Sequence, residues 1–347
     1  MLVIVDLDGV LVDYGASSRE AAVRAAGAYF EEVCGVVHGA RLIQRRHTDA
    51  FKNAGGFEDD RDIVYAIVYT LLTSMPRMLR PRPPRSDVLR VADVRRAFAP
   101  MDIRLNALIG HSERDLSPTL IEINRRGGGI AGLERYFADG VMEHYMLHDG
   151  QIGATEADAA QTREDVIGRL FEEFYLGDAH FQKRYGIEPF VTRGEGLAHE
   201  EMLLVEMDDL KKLTTQASVT LFAAQPRSQL QQTLRRLGVS GLFPHVVYAG
   251  ELDREEPRRH VLHEVLPTGF NVWMFKQLVD AASDVHAIRP SRRTLLFVSS
   301  NAHRLHVASG AGARCVGFAR HRDERRRLKE AGAKAVVSKL KTLLKAL

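Results

Sequence analysis

The run from Val3 to Asp13, VIVDLDGVLVD, restricts the possible folds of this chain more than any other segment. Its β-branched and aliphatic start predicts a short strand buried on both faces, stopped by Asp6 and Asp8 and then by Gly9. A carboxylate at the end of a buried strand is unfavourable unless its charge is used. Two carboxylates one residue apart in an extended segment face the same side, and a turn at Gly9 lets both approach one reacting atom. One can then attack while the other manages the leaving-group proton.

The chain has 347 residues, which predicts two globular units or one core with a large insertion. Hydrophobic residues make up 45% and charged residues 27%, proportions that exclude disorder as the main state. After the first strand, SSREAAVRAAGAYFEEVCG and FEDDRDIVYAIVYTLLTSM carry apolar residues at helical spacing, and Ser17 or Ser18 can cap the first. MPRMLRPRPPRSD cannot stay helical, and the glycines at 127–129 mark a second flexible point, so residues 76–165 form an elaboration without an assigned fold. From Ser218 strands alternate with amphipathic helices: SVTLFAA, PRSQLQQTLRRLG, HVVYAG, NVWMFKQLVDAA, TLLFVSS, AHRLHVASGAG, RCVGFA and AVVSKLKTLLKAL. The predicted fold class is α/β, a Rossmann-like parallel sheet with helices on both faces, its ligand site at the carboxyl ends of the strands beside Asp6. The expected division is a core of residues 1–14 and 195–347 and a helical insertion of residues 15–194.

Cys34 and Cys315 lie far apart without metal-ligand spacing, so neither a disulfide framework nor a zinc site is expected, and a reduced, cytoplasmic setting fits. Met1 leads straight into a short apolar run ended by Asp6, which predicts neither a signal peptide nor a membrane span. Net charge is +3, with arginine dense in residues 76–96 and in RHRDERRRLK. Both runs read as solvated surface, and nucleic acid is not an expected partner, because they lack interleaved aromatics or a nucleic-acid motif. The pairs His144/His148 and His303/His306 have no third ligand at zinc spacing.

The pattern around Asp6 and Asp8 resembles the first motif of the haloacid dehalogenase superfamily of phosphohydrolases. By that resemblance Asp6 is the nucleophile that becomes an aspartyl-phosphate and Asp8 the general acid and base. It further implies magnesium bound by the Asp6 carboxylate and the Asp8 backbone carbonyl, and a small phosphorylated molecule as substrate. The helical insertion resembles the family's cap domain. FKNAGGFEDDRDIVYAI and LFEEFYLGDAHFQKRYG look like a subgroup of uncharacterised phosphatase-like members, in which the first stretch faces the active site. The implied substrate contacts are Gly9, Lys52, Gly55 and Gly56, with Ala223, Ala224, Arg227 and Lys276 from the later motifs.

Those later motifs depart from the family. Ala223 stands where a Thr or Ser hydroxyl is usual, leaving backbone N–H groups and Arg227 as substitutes, with Ser228 on the following helix. Gly269 takes the place of the lysine, and Lys276 follows two helical turns later. Ser299 and Ser300 fall on the Gly-Asp pair of the fourth motif, and His303 or Arg304 on its second acid. Ser300 and Asn301 offer neutral oxygens, so a magnesium site would lean on Asp6 and Asp8 and be weak. Arg304 either faces outward from its helix, the commoner arrangement, or turns inward to neutralise a phosphate. Two functions follow. The first, toward which the intact carboxylate pair leans, is hydrolysis of a small phosphorylated metabolite through an aspartyl-phosphate. The second is a catalytically inactive homologue that binds a phospho-ligand or a protein.

Overall fold

The first strand, β1 (Leu2–Asp6), is buried along its whole length at the centre of a six-stranded parallel sheet. The computed structural model describes residues 1–36, 38–57, 59–74, 116–137, 166–192, 194–225, 227–252 and 270–345. The chain divides into two compact units, Met1–Tyr14 with Glu201–Leu347, and Gly15–Glu200.

In the first unit the sheet is built from β1, β4 (Ser218–Ala223), β5 (Val246–Tyr248), β6 (Leu295–Ser299), β7 (Arg314–Phe318) and β8 (Ala335–Val337), in the order β5-β4-β1-β6-β7-β8. Leu2 and Ile4 turn to one face, packing with Phe222, Phe270 and Phe297, while Val3 and Val5 turn to the other, with Leu210 and Leu230. Successive residues of a strand point to opposite faces, so a strand covered on both sides must be apolar throughout. The helices Arg227–Arg236, Val272–His286 and Ala302–Gly310 follow the expected segments, and Met207–Gln216 adds one for which no segment was assigned. RHRDERRRLK forms the helix Arg322–Glu330, whose Leu328 is buried while Arg322, Arg325 and Arg326 are exposed. β2 (Val12–Asp13) pairs antiparallel with β3 (Met202–Leu203).

The second unit is helical among the described residues. Ser18–Ala28 packs its alanine face (Ala21, Ala22, Ala25, Ala26) against Asp60–Ser74 and Val166–Leu176. Small residues let helix backbones approach closely, and Asp60–Ser74 is buried almost all round in consequence. Ser17 occupies the N-cap position of the first helix without a side-chain cap bond, and the Ser18 hydroxyl donates to Asp60 instead, so neither supplies the expected cap. The glycines at 127–129 join the helices Ser117–Arg125 and Gly129–Phe137 with positive φ. The proline- and arginine-rich loop, His144 and His148 lie outside the described residues. Cys34 and Cys315 are free, buried thiols in different units. No described helix is long and apolar enough to cross a membrane.

Candidate functional site

Sheet register brings the first and last motif-bearing loops together. Val5 of β1 lies opposite Val298 of β6, so one step further along both strands sets Asp6 level with Ser299. Both residues are fully buried, and the Ser299 hydroxyl donates to Asp6 Oδ2 at 2.6 Å. Ser299 Oγ in turn accepts from the Asn301 N–H at 3.0 Å. Arg304 reaches the other carboxylate oxygen: its Nη1 donates to Asp6 Oδ1 at 2.6 Å, with both side chains 1% exposed. The guanidinium lies over the rings of Phe222 and Phe270, 5.1 and 5.8 Å from their centroids, so aromatic faces replace the water it has lost.

Arg304 sits in the first turn of the helix Ala302–Gly310, and its N–H donates to the N-cap side chain of Asn301 at 3.1 Å. A cation in that turn opposes the helix dipole, and Asp6 supplies the compensating charge. Burial pushes the Asp6 carboxyl above the usual carboxylate range, while the Arg304 charge and the Ser299 hydrogen bond pull it back. Of the two arrangements expected for Arg304, the commoner, outward one is therefore corrected to the inward one, with Asp6 as its partner. It turns inward because it lies three and four residues before Val307 and Ala308, on the buried face of its helix.

Asp8 is 7% exposed, and its backbone carbonyl accepts from Ser300 Oγ at 2.8 Å. The loop turns at Gly9, whose φ is +71°, and its N–H donates to the Val12 carbonyl at 2.9 Å. A Cβ at Gly9 would collide with Ser300 Oγ, so the position demands glycine for space as well as for φ. Asp13 forms an ion pair with Arg320.

The remaining sequence candidates are placed differently. Ala223 is buried as the last residue of β4, with Ala224 half-buried beyond it. Arg227 is exposed, donates to Glu251 at 3.0 Å and lies 4.8 Å from the Tyr248 ring centroid, so its charge is already matched. Lys276 is exposed on the helix Val272–His286, while Asp6 is fully buried, and Gly269 lies outside the described residues. His303 Nε2 meets the Phe270 carbonyl at 2.8 Å, and His306 is exposed. In the helical unit, Lys52 is buried and pairs with Asp60 at 3.3 Å, and Gly55 and Gly56 have φ of +82° and +81°. Asp59 holds Arg61 through its N–H at 2.9 Å and its guanidinium at 2.6 Å. Sequence reasoning missed Ser299 and Arg304 as the partners of Asp6. Strand register carries the signal for Ser299, whereas no local pattern names Asp6 as the partner of Arg304.

The donor set does not suit magnesium. The cation prefers hard oxygen ligands with one or two carboxylates. Here Asp6 has a donor on each carboxylate oxygen, Asp8 O takes the Ser300 hydroxyl, and Asn301 Oδ1 takes the Arg304 N–H. A second cation at this position would also meet the Arg304 charge at close range. Among the described residues no group of three or more His, Cys, Asp or Glu side chains is placed to hold a metal ion.

No family model and no curated protein matches the chain. Among solved structures, a Northeast Structural Genomics Consortium target, ZR25, aligns over 99% of this chain and 97% of its own, with a TM-score of 0.57 at 12% identity. Phosphatase Tt82 from Thermococcus thioreducens aligns over 100% of both chains, with a TM-score of 0.47 at 16% identity. A conserved haloacid dehalogenase-like protein of unknown function from Agrobacterium tumefaciens aligns over 99% and 96%, with a TM-score of 0.39 at 16% identity. The first of these shares the fold with this chain.

Proposed function

We propose that this chain, which has the haloacid dehalogenase-type core with an inserted helical unit, is a non-hydrolysing homologue that acts as a binding module. The observation that carries the reading is the state of Asp6. Both of its oxygens are engaged, by Arg304 and Ser299, within a fully buried pair. Each oxygen keeps a second lone pair, but the buried guanidinium draws electron density from the carboxylate and lowers its nucleophilicity, and bonding to phosphorus would neutralise the anion that Arg304 depends on.

Neutralisation of the incoming phosphate is also depleted. The hydroxyl of the second motif is replaced by Ala223, Gly269 takes the place of the lysine, and Lys276 is exposed two helical turns later. Each lost electrostatic donor is worth about 3–4 kcal/mol in well-studied sites, so losing two lowers the rate by about five orders of magnitude. The hydrolase reading rests on the retained pair of aspartates. Arg304 gives Asp6 a structural reason to be kept.

The test is turnover of a generic aryl phosphate with magnesium, measured beside Asp6→Asn. Equal, background rates are expected for both proteins. Turnover that depends on Asp6 would return the chain to the phosphohydrolases.

A further inference from the structure

The resemblance assigns two groups to magnesium, the Asp6 carboxylate and the Asp8 backbone carbonyl. In this chain each of them is met by a donor from the loop after β6. Arg304 Nη1 lies 2.6 Å from Asp6 Oδ1, Ser299 Oγ lies 2.6 Å from Oδ2, and Ser300 Oγ lies 2.8 Å from Asp8 O. These donors come from one stretch of six residues and converge on the same strand end, where Ser300 stands at the position of the first missing acid and His303 or Arg304 at that of the second. The three together do what a bound cation does. They supply positive charge to the carboxylate, they satisfy the carbonyl, and they tie the loop after β1 to the loop after β6.

We infer that Arg304, with Ser299 and Ser300, is a built-in replacement for the divalent cation, so that the strand ends are held together without metal and the site accepts a metal only when Arg304 is removed. The inference extends the non-hydrolysing reading of the same site but rests on different atoms. The guanidinium is nearly as buried as a protein side chain can be, it is flanked by Phe222 and Phe270, and its helix is capped by Asn301. It is thus preorganised rather than borrowed from the surface. A hydrated magnesium ion competing for Asp6 would have to shed water and displace a cation already in contact. Without Arg304, by contrast, the fully buried Asp6 carboxylate loses its cation, and a divalent cation can take the vacated place.

The experiment follows melting temperature in the full chain with chelator, with millimolar magnesium and with millimolar calcium, for wild type, Arg304→Ala and the double variant Asp6→Asn/Arg304→Ala. Wild type is expected to melt at one temperature in all three conditions. Arg304→Ala is expected to melt lower in chelator and to recover by several degrees with either metal, and the double variant to lose that response. If Arg304→Ala does not fold in chelator, refolding in the presence of magnesium serves as the readout, and Arg304→Gln, which keeps the length of the side chain, is carried alongside. A metal-dependent rise in wild type that vanishes in Asp6→Asn would overturn the inference, as would folded Arg304 variants indifferent to both metals. Metal-independent, Asp6-dependent phosphatase activity would instead overturn the non-hydrolysing reading and leave this inference standing.

Discussion

At Asp6 the distinction between a nucleophile and a structural charge becomes a matter of stability. Removing one partner of a buried ion pair leaves the other charge uncompensated, which costs about 3–5 kcal/mol, whereas replacing both by apolar groups is neutral or stabilising by about 1–4 kcal/mol. Asp6→Asn is therefore expected to be strongly destabilising, and Asp6→Leu combined with Arg304→Met to recover most of the loss, as read from urea unfolding. A more stable Asp6→Asn protein would contradict the structural role, because relief on removing a carboxylate is the behaviour of a strained active site. The aspartates themselves were readable from the sequence, since acidic residues at the end of an aliphatic strand have few physical explanations. Arg304 was not, because an arginine in the first turn of a helix is ordinarily solvated. Its burial depends on a partner 298 residues away in the chain, a contact that no local pattern encodes.

At the scale of elements, strand and helix alternation after Ser218 was legible because each buried strand is a run of β-branched and aliphatic residues and each helix has an apolar stripe. The helix Met207–Gln216 was harder to see, since it buries little beyond Leu210 and Leu213. The two-residue strands β2 and β3 are too short to show alternation at all. One contact between elements carries a pH dependence. His286, in the last turn of Val272–His286, meets Thr220 Oγ1 of β4 at 3.1 Å and lies edge-on to the His245 ring at 5.0 Å. Burial, and then the neighbouring His245, lower its pKa below that of a free histidine. The unfolded chain consequently binds more protons than the folded one as pH falls below the ordinary histidine value, so this contact stabilises at neutral pH and is lost on acidification. Wild type should lose more stability than His286→Gln between neutral and mildly acidic pH. Parallel losses in the two proteins would show that the histidine is not responsible.

On the scale of the whole chain, the order of the sheet makes folding of the first unit depend on its first few residues. β1 is central, flanked by β4 and β6, yet more than two hundred residues separate it from β4 in sequence. Closing that loop carries an entropy cost that grows slowly with length, and the burial of β1 has to exceed it. Leu2, Val3, Ile4 and Val5 are each fully buried. At about 1.5–3 kcal/mol per side chain they contribute about 6–12 kcal/mol, comparable with the entire stability of a typical domain. Without them β4 and β6 would face an empty slot, each with an unpaired row of backbone donors and acceptors and with apolar faces open to water. Residues 201–347 expressed alone are thus expected to show no cooperative thermal transition and to bind a hydrophobic dye. Addition of a peptide spanning residues 1–14 should restore a transition in proportion to its concentration, because strand insertion becomes a bimolecular step. A cooperative transition in the fragment alone, at a melting temperature close to that of the intact chain, would mean that the outer strands form a core of their own and that β1 completes the site rather than the fold.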